Sequence, residues 1–251
     1  MAETSSSILL RIKRQADPKS SPYWEEFEIP YKEGHNVISA LMELRRNPIT
    51  REGKPSTAVA FDASCLEEVC GSCTMLVNGK VRQGCTALIK QPGEVVTLEP
   101  MSKFPCVRDL MVDRSKMFAA LKKARAWIPI DGTYDLGPGP RIRPEDQQFA
   151  YLFSRCMTCG CCLEACPQVN DHSSFMGAAV IGQVYLMGKH PTGHMHQDER
   201  LAALMGEGGI ADCGNAQNCV EVCPKEIPLT TAIGSVGGQV SRKWLRDLFA
   251  R

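Results

Sequence analysis

Residues 65–85 read CLEEVCGSCTMLVNGKVRQGC, and this stretch decides the fold of the first half of the chain. Cys65, Cys70, Cys73 and Cys85 are spaced C-x4-C-x2-C-x11-C. Between the third and fourth stands Asn78-Gly79, a strong two-residue hairpin signal, because a type I′ turn needs positive φ at both central positions. Pairing Val77 with Lys80 and stepping outward sets Cys73 opposite Gly84. Cys85 then lies one residue from Cys73 in space, so the hairpin carries a fourth thiolate back to the loop that holds three. Three close cysteines and one distant one are the ligand spacing of a plant-type [2Fe–2S] cluster. Zinc sites favour paired C-x2-C arms, which the four-residue gap does not supply. Gly71 and Ser72 suit a loop whose backbone N–H groups wrap the cluster and donate to its sulfurs.

Outward from this loop the first hundred residues read as strands around one helix. SILLRIKR (7–14) places Ile8, Leu10 and Ile12 on one face by period-two alternation. After Asp17-Pro18 and Ser21-Pro22, YWEEFEIP (23–30) aligns Tyr23, Phe27 and Ile29. NVISALMELRR is expected to be a helix capped by Asn36 and stopped by Asn47-Pro48, with Val37, Ile38, Leu41 and Met42 buried. The hairpin (74–84) and a last strand, EVVTLEP, complete an α+β arrangement with the helix on a small mixed sheet.

From Asp113 the texture becomes helical. RSKMFAALKKARAW carries Met117, Leu121, Ala124 and Ile128 at helical spacing, with Asp113 as cap. Residues 129–144 are rich in Pro and Gly and read as a long loop. SSFMGAAVIGQVYLM, DERLAALM ending at Gly206, and a final helix from about Pro228 follow. The domain boundary is placed near residue 107, giving 1–107 and 108–251; the loop at 129–144 is the rival boundary.

The second half holds two more cysteine runs. Within CMTCGCCLEACP (156–167), Cys156, Cys159, Cys162, Cys166 and Pro167 have the spacing C-x2-C-x2-C-x3-C-P, in which the fourth cysteine serves the other of two clusters. Counting back from Cys223-Pro224 by the same steps gives Cys219, Ala216 and Cys213. Swapping the fourth ligands assigns Cys156, Cys159, Cys162 and Cys223 to a [4Fe–4S] cluster. Cys166, Cys213 and Cys219 are left for the other. Ala216 offers no ligand there, so a [3Fe–4S] cluster is expected. The helices between 173 and 206 must fill the gap between the runs. Cys161 falls off the register beside a binding neighbour and reads as a buried free thiol; Cys106 belongs to no spacing and reads the same way.

Composition narrows the classes. The chain has 251 residues, a net charge of +1 and 13 cysteines. The balanced charge argues against nucleic acid as the main partner. The odd cysteine count, with no export signal in MAETSSS, argues for metal over a disulfide framework. The longest mostly apolar stretch, residues 175–188, falls short of the ~20 residues that span a bilayer.

The three groups, SCLEEVCGSC with NGKVRQGC, CMTCGCCLEACP and CGNAQNCVEVCP, occur in this order along nearly the whole chain. In that layout the sequence resembles the iron–sulfur subunits of succinate dehydrogenase and its sister, fumarate reductase. The resemblance implies a β-grasp [2Fe–2S] ferredoxin-like domain followed by an all-α bacterial-ferredoxin-like domain. It implies a partner flavoprotein whose FAD oxidises succinate, and membrane-anchor subunits that hold a quinone and carry the family's haem ligands. This chain then relays single electrons and contains no succinate site and no catalytic acid or base. Its place would be peripheral, on the cytoplasmic face of a bacterial plasma membrane. A fumarate reductase running in the opposite net direction is the alternative.

One departure bears on the quinone. Ubiquinone-reducing members resemble one another in a tryptophan pair after the first Cys-Pro and a His after the first three-iron cysteine. Here Gln168, Val169, Asn170, Asp171 and His172 follow Pro167, and Gly214 follows Cys213. Menaquinone is therefore favoured, with Pro167 and His172 as quinone-proximal residues. His190, His194 and His196 read as a solvated loop because of Pro191 and Gly193. The C-terminal helix sets Arg242, Lys243, Arg246 and Arg251 beside Trp244, Leu245, Leu248 and Phe249, a basic, aromatic face that reads either as an amphipathic helix packed on a partner or as one lying at a lipid headgroup layer.

Overall fold

The computed structural model describes residues 7–129 and 141–250. Residues 1–6, most of the loop expected over 129–144, and Arg251 lie outside the described residues. The chain forms two compact units, one of Met1–Arg114 with Met157–Glu164 and one of Ser115–Cys156 with Ala165–Arg251.

In the first unit β1 (Ser7–Arg14) pairs antiparallel with β2 (Tyr23–Pro30), and α1 (Val37–Arg46) follows. The hairpin is β3 (Thr74–Val77) and β4 (Lys80–Gln83), and β5 (Val95–Glu99) completes a mixed sheet of order β2-β1-β5-β3-β4. β5 lies parallel to β1 and antiparallel to β3. A short antiparallel pair, β6 (Cys106–Arg108) and β7 (Met111–Val112), closes the segment. One face of the sheet supplies Ile8, Leu10, Ile12, Phe27, Met75 and Leu98 to a core shared with Ile38, Leu41 and Leu44 of α1. Burying each such side chain contributes about 1.5–3 kcal/mol, which offsets the ordering of a short sheet.

Local chemistry sets the bounds of α1. The Asn36 side chain accepts from Ser39 N at 2.8 Å and Ser39 Oγ accepts from Asn36 N at 3.0 Å, a reciprocal cap. The helix ends before Pro48. One expected core position is not core. Met42 is 40% exposed because it lies about 100° round the helix from Leu41, while Ala40 and Leu44 are buried. Tyr23 is 50% exposed because it opens the edge strand, at the end where β1 and β2 part.

The second unit is helical throughout its described residues. It contains α2 (Ser115–Lys123) and α3 (Pro144–Ser154). The next helix, α4 (Cys161–Glu164), belongs to the first unit, and the second resumes with α5 (Ala178–Lys189) and α6 (Gln197–Met205). One-turn α7 (Asn218–Glu221) and long α8 (Leu229–Phe249) complete it. α2 stops at Lys123, so Ile128 lies beyond it; Met117 and Ala124 are buried and Leu121 half-buried. α5 starts later than the apolar run, since Gly177 at φ 88 stands just outside it. It is apolar nearly all round and packs on α8, which buries Leu229, Ala232, Val236 and Val240 at helical spacing. Gly182 permits the approach: a Cβ there would lie 3.0 Å from Leu229 Cδ2. Phe149 and Phe153 of α3 stack against Tyr185 of α5. The histidine segment is a 3₁₀ turn (Gly193–His196) leading into α6, held by His194 N donating to His190 O at 2.8 Å. No described helix is long and apolar enough to cross a membrane.

Candidate metal centre

The loop before β3 winds through left-handed backbone at Leu66, Glu68 and Gly71. That winding turns amides toward sulfur. Val69 N and Cys70 N each donate to Cys65 Sγ at 3.3 Å, and Cys70 Sγ lies 2.8 Å from Ser72 Oγ. Burial works against the Cys70 thiolate, but hydrogen bonds from Ser72 and Cys65 outweigh it and bring the thiol down to about 6. The hairpin has the register read from its turn, Val77 opposite Lys80, with Asn78 and Gly79 both at positive φ. Gly84 N donates to Cys73 O at 2.9 Å, which delivers Cys85 beside Cys73. These two sulfurs are buried and interact, and burial pushes Cys73 up to about 12. A metal would reverse that cost by taking the thiolate's charge. Thiolates ringed by N–H donors are the donor set that an iron–sulfur cluster requires.

Within the first unit the loop meets residues 157–164. A Cβ on Gly71 would lie 2.8 Å from both Cα and Cβ of Cys159 and 2.9 Å from Met157 O, so only glycine allows this approach. Arg114 Nη1 donates to Gly71 O at 2.7 Å and Nη2 to Ser72 O at 2.8 Å. Thr158 and Gly160 take left-handed backbone, and the Gly160 carbonyl accepts from Leu163 N and Glu164 N, both at 3.0 Å, to start α4. Glu164 anchors that turn: its carboxylate accepts from Ser102 N at 2.9 Å, Ser102 Oγ at 2.6 Å and Lys103 N at 3.0 Å. Cys161 is fully buried, as its off-register position implied. Its thiol and amide donate to Cys159 Sγ, which lowers Cys159 to about 7. Cys106 is half-buried, with its thiol donating to Asp109 O at 3.5 Å. Cys162 is buried in the same unit.

Cys156 and Cys223 belong to the second unit. Cys156 N donates to Phe153 O at 3.2 Å, at the end of α3, and Cys223 Sγ accepts from Ile227 N at 3.5 Å. The same unit gathers the remaining three thiols. Cys166, Cys213 and Cys219 line one cleft, and Ala216 lines it with them. Asn215 and Gln217 on either side of Ala216 take left-handed backbone, which curls the segment around the cleft. Burial, then the charges of Cys166 and Cys213, raise Cys219, so the three sulfurs are close enough to repel as thiolates. Pro167 and Gln168 also line this cleft, and Gln168 fills the space that a side chain at position 214 would need. His172 is exposed and does not line it.

Among the described residues no three His, Cys, Asp or Glu side chains converge as ligands of one metal ion. A polynuclear cluster spreads its thiolates over several irons. Sequence reasoning did not single out Arg114, Gln83 or Glu164, which stand around the cysteines of the first unit. Glu164 stands inside the cysteine run, but nothing local marks its partners at 102 and 103.

Fold and cysteine sites together define a protein that carries iron–sulfur clusters, a [2Fe–2S] unit joined to a two-cluster helical unit. Family models agree: a 2Fe-2S iron-sulfur cluster binding domain matches residues 9–119, and a 4Fe-4S dicluster domain matches residues 152–227. The chain is 60% identical to the succinate dehydrogenase iron-sulfur subunit of Bacillus subtilis, over 97% of this chain and 96% of that one. It is 27% identical to the fumarate reductase iron-sulfur subunit of Escherichia coli O157:H7, over 93% and 92%. A chain of the Mycobacterium smegmatis Sdh1 complex in the apo form superposes with a TM-score of 0.75 at 26% identity, covering 95% of this chain and 97% of that one. The chain belongs to the family of succinate dehydrogenase iron–sulfur subunits.

Proposed function

We propose that this chain is the electron-transfer subunit of a succinate:quinone oxidoreductase, passing single electrons from the FAD of a partner flavoprotein to a membrane quinone. Bound clusters would supply one-electron redox centres of graded potential, which a two-electron flavin and a lipid-bound quinone need between them. Cys65, Cys70, Cys73 and Cys85 would hold [2Fe–2S]. Cys156, Cys159, Cys162 and Cys223 would hold [4Fe–4S], an assignment that rests on spacing. Cys166, Cys213 and Cys219 would hold [3Fe–4S]. The observation that carries the reading is the cleft where three thiols face Ala216. A methyl group there denies a fourth ligand and leaves one corner of the cluster without iron.

The chain's own groups do the remaining work. Amides of Val69 and Cys70 and the Ser72 hydroxyl steady the sulfurs of the first site. Pro167 at the cleft is the residue proposed to lie near the quinone, and His172, exposed five positions on, is the weaker candidate. Gln168 and Val169 in place of a tryptophan pair favour menaquinone. Cofactor domains 1–107 and 108–251 are the proposed division of labour. The chain would sit peripherally on the cytoplasmic face of the membrane, through anchor subunits.

Two experiments test this. Solubilised native membranes should yield the chain with a flavin-bearing polypeptide and apolar anchors; recovery without flavin would refute the assignment. Ala216→Cys should replace the three-iron paramagnetic signal of the oxidised protein with a four-iron cluster, and an unchanged signal would overturn the ligand register.

A further inference from the structure

Cys161, one of two cysteines that the cluster spacings leave over, is joined to the first site through Gln83. Gln83 is 1% exposed and ends β4. Its Nε2 donates to Thr74 Oγ1 at 2.7 Å and to Cys161 Sγ at 3.5 Å, and its Oε1 accepts from the Cys73 thiol at 3.5 Å. One buried chain of hydrogen bonds thus runs from Cys73, a proposed [2Fe–2S] ligand, through Gln83 to Cys161. All of its members lie in the first unit.

Loading changes the polarity of this chain in a definite way. A sulfur bound to iron has no proton to give, so Cys73 can no longer donate to Oε1. A half-turn of the amide sets Nε2 against Cys73. Oε1 then accepts from the Thr74 hydroxyl. That hydroxyl can leave its present acceptor, Gly71 O at 2.9 Å, because Arg114 still donates to the same carbonyl.

We propose that Gln83 is a positioning residue that stabilises the added negative charge at Cys73 when the two-iron cluster is reduced. One electron enters that cluster; no bond forms or breaks and no proton moves. Hydrogen bonds to cluster sulfurs are among the determinants of reduction potential, and a buried donor is stronger there than in water. The proposal rests on the ligand assignments given above.

The test is a redox titration of the assembled, iron-loaded complex, followed by paramagnetic resonance so that each cluster is read separately. Gln83→Leu should lower the midpoint potential of the two-iron cluster. Gln83→Glu, which offers no N–H, should lower it further. The four-iron and three-iron clusters are the internal controls and should not move. An unchanged two-iron midpoint in both variants at full iron content would overturn the proposal. A wild-type complex with far fewer than about nine irons per chain would instead refute the ligand assignment, which the iron measurement reads independently.

Discussion

Gly71 stands at φ +73 with the Cys159 backbone against the position where its Cβ would be. Alanine there costs about 1–3 kcal/mol for the left-handed backbone alone, and the contact adds to it because a backbone cannot step aside. Gly71→Ala should therefore lower the urea midpoint of the loaded chain and its two-iron content together. Gly79, also left-handed but with open space around it, is the control, and its alanine variant should lose stability with no loss of iron. Asp109 makes a second single-residue dependence. Its carboxylate takes Arg14 Nε at 2.9 Å and Nη2 at 3.2 Å, and also accepts from Gln15 N and Ala60 N. Both members are buried. Asp109→Ala should cost about 3–5 kcal/mol in urea unfolding, since it strands a buried guanidinium with Glu25 as its remaining carboxylate. A loss under about 1 kcal/mol would mean that water reaches Arg14.

At the scale of elements, the hairpin and α4 behave differently. The hairpin was legible because everything that fixes it is local: Asn78-Gly79 sets the turn, the turn sets the register, and the register delivers Cys85. α4 is a single turn, too short to stand by itself. Its stability comes from Glu164, whose oxygens satisfy the amides of residues 102 and 103. Glu164→Ala should cost about 3 kcal/mol by leaving those amides without partners. Chemical denaturation of the iron-loaded chain reads this, with Glu145→Ala on the exposed first turn of α3 as a near-neutral comparison. Equal effects from the two would remove Glu164 as the anchor. Period, with the cap and stop residues beside it, placed β1 and α1. It placed Met42 wrongly because burial on a helix depends on what covers each face.

At the scale of the whole molecule, the chain leaves its first unit at Arg114 and returns to it for Met157–Glu164. A fragment that stops at Arg114 lacks Glu164 and also lacks Gly160, on which Phe104 and Met101 close in. Such a fragment should lose its visible two-iron absorbance at lower urea than the intact chain does. Equal midpoints would show that residues 157–164 add nothing to that unit.

The sequence by itself determined the thiol count, the three spacings, the vacant place at Ala216 and the periods of the main elements. Each of these is written within a few turns of chain, where covalent geometry limits the choices. Only the tertiary structure decided that Gln83 would meet Cys161, 78 residues on, and that Ser102 would cap Glu164, 62 residues on. Neither pair leaves a local mark. Their closure is driven by the collapse of apolar side chains that lie elsewhere, and the polar partners are fixed by where that packing leaves them.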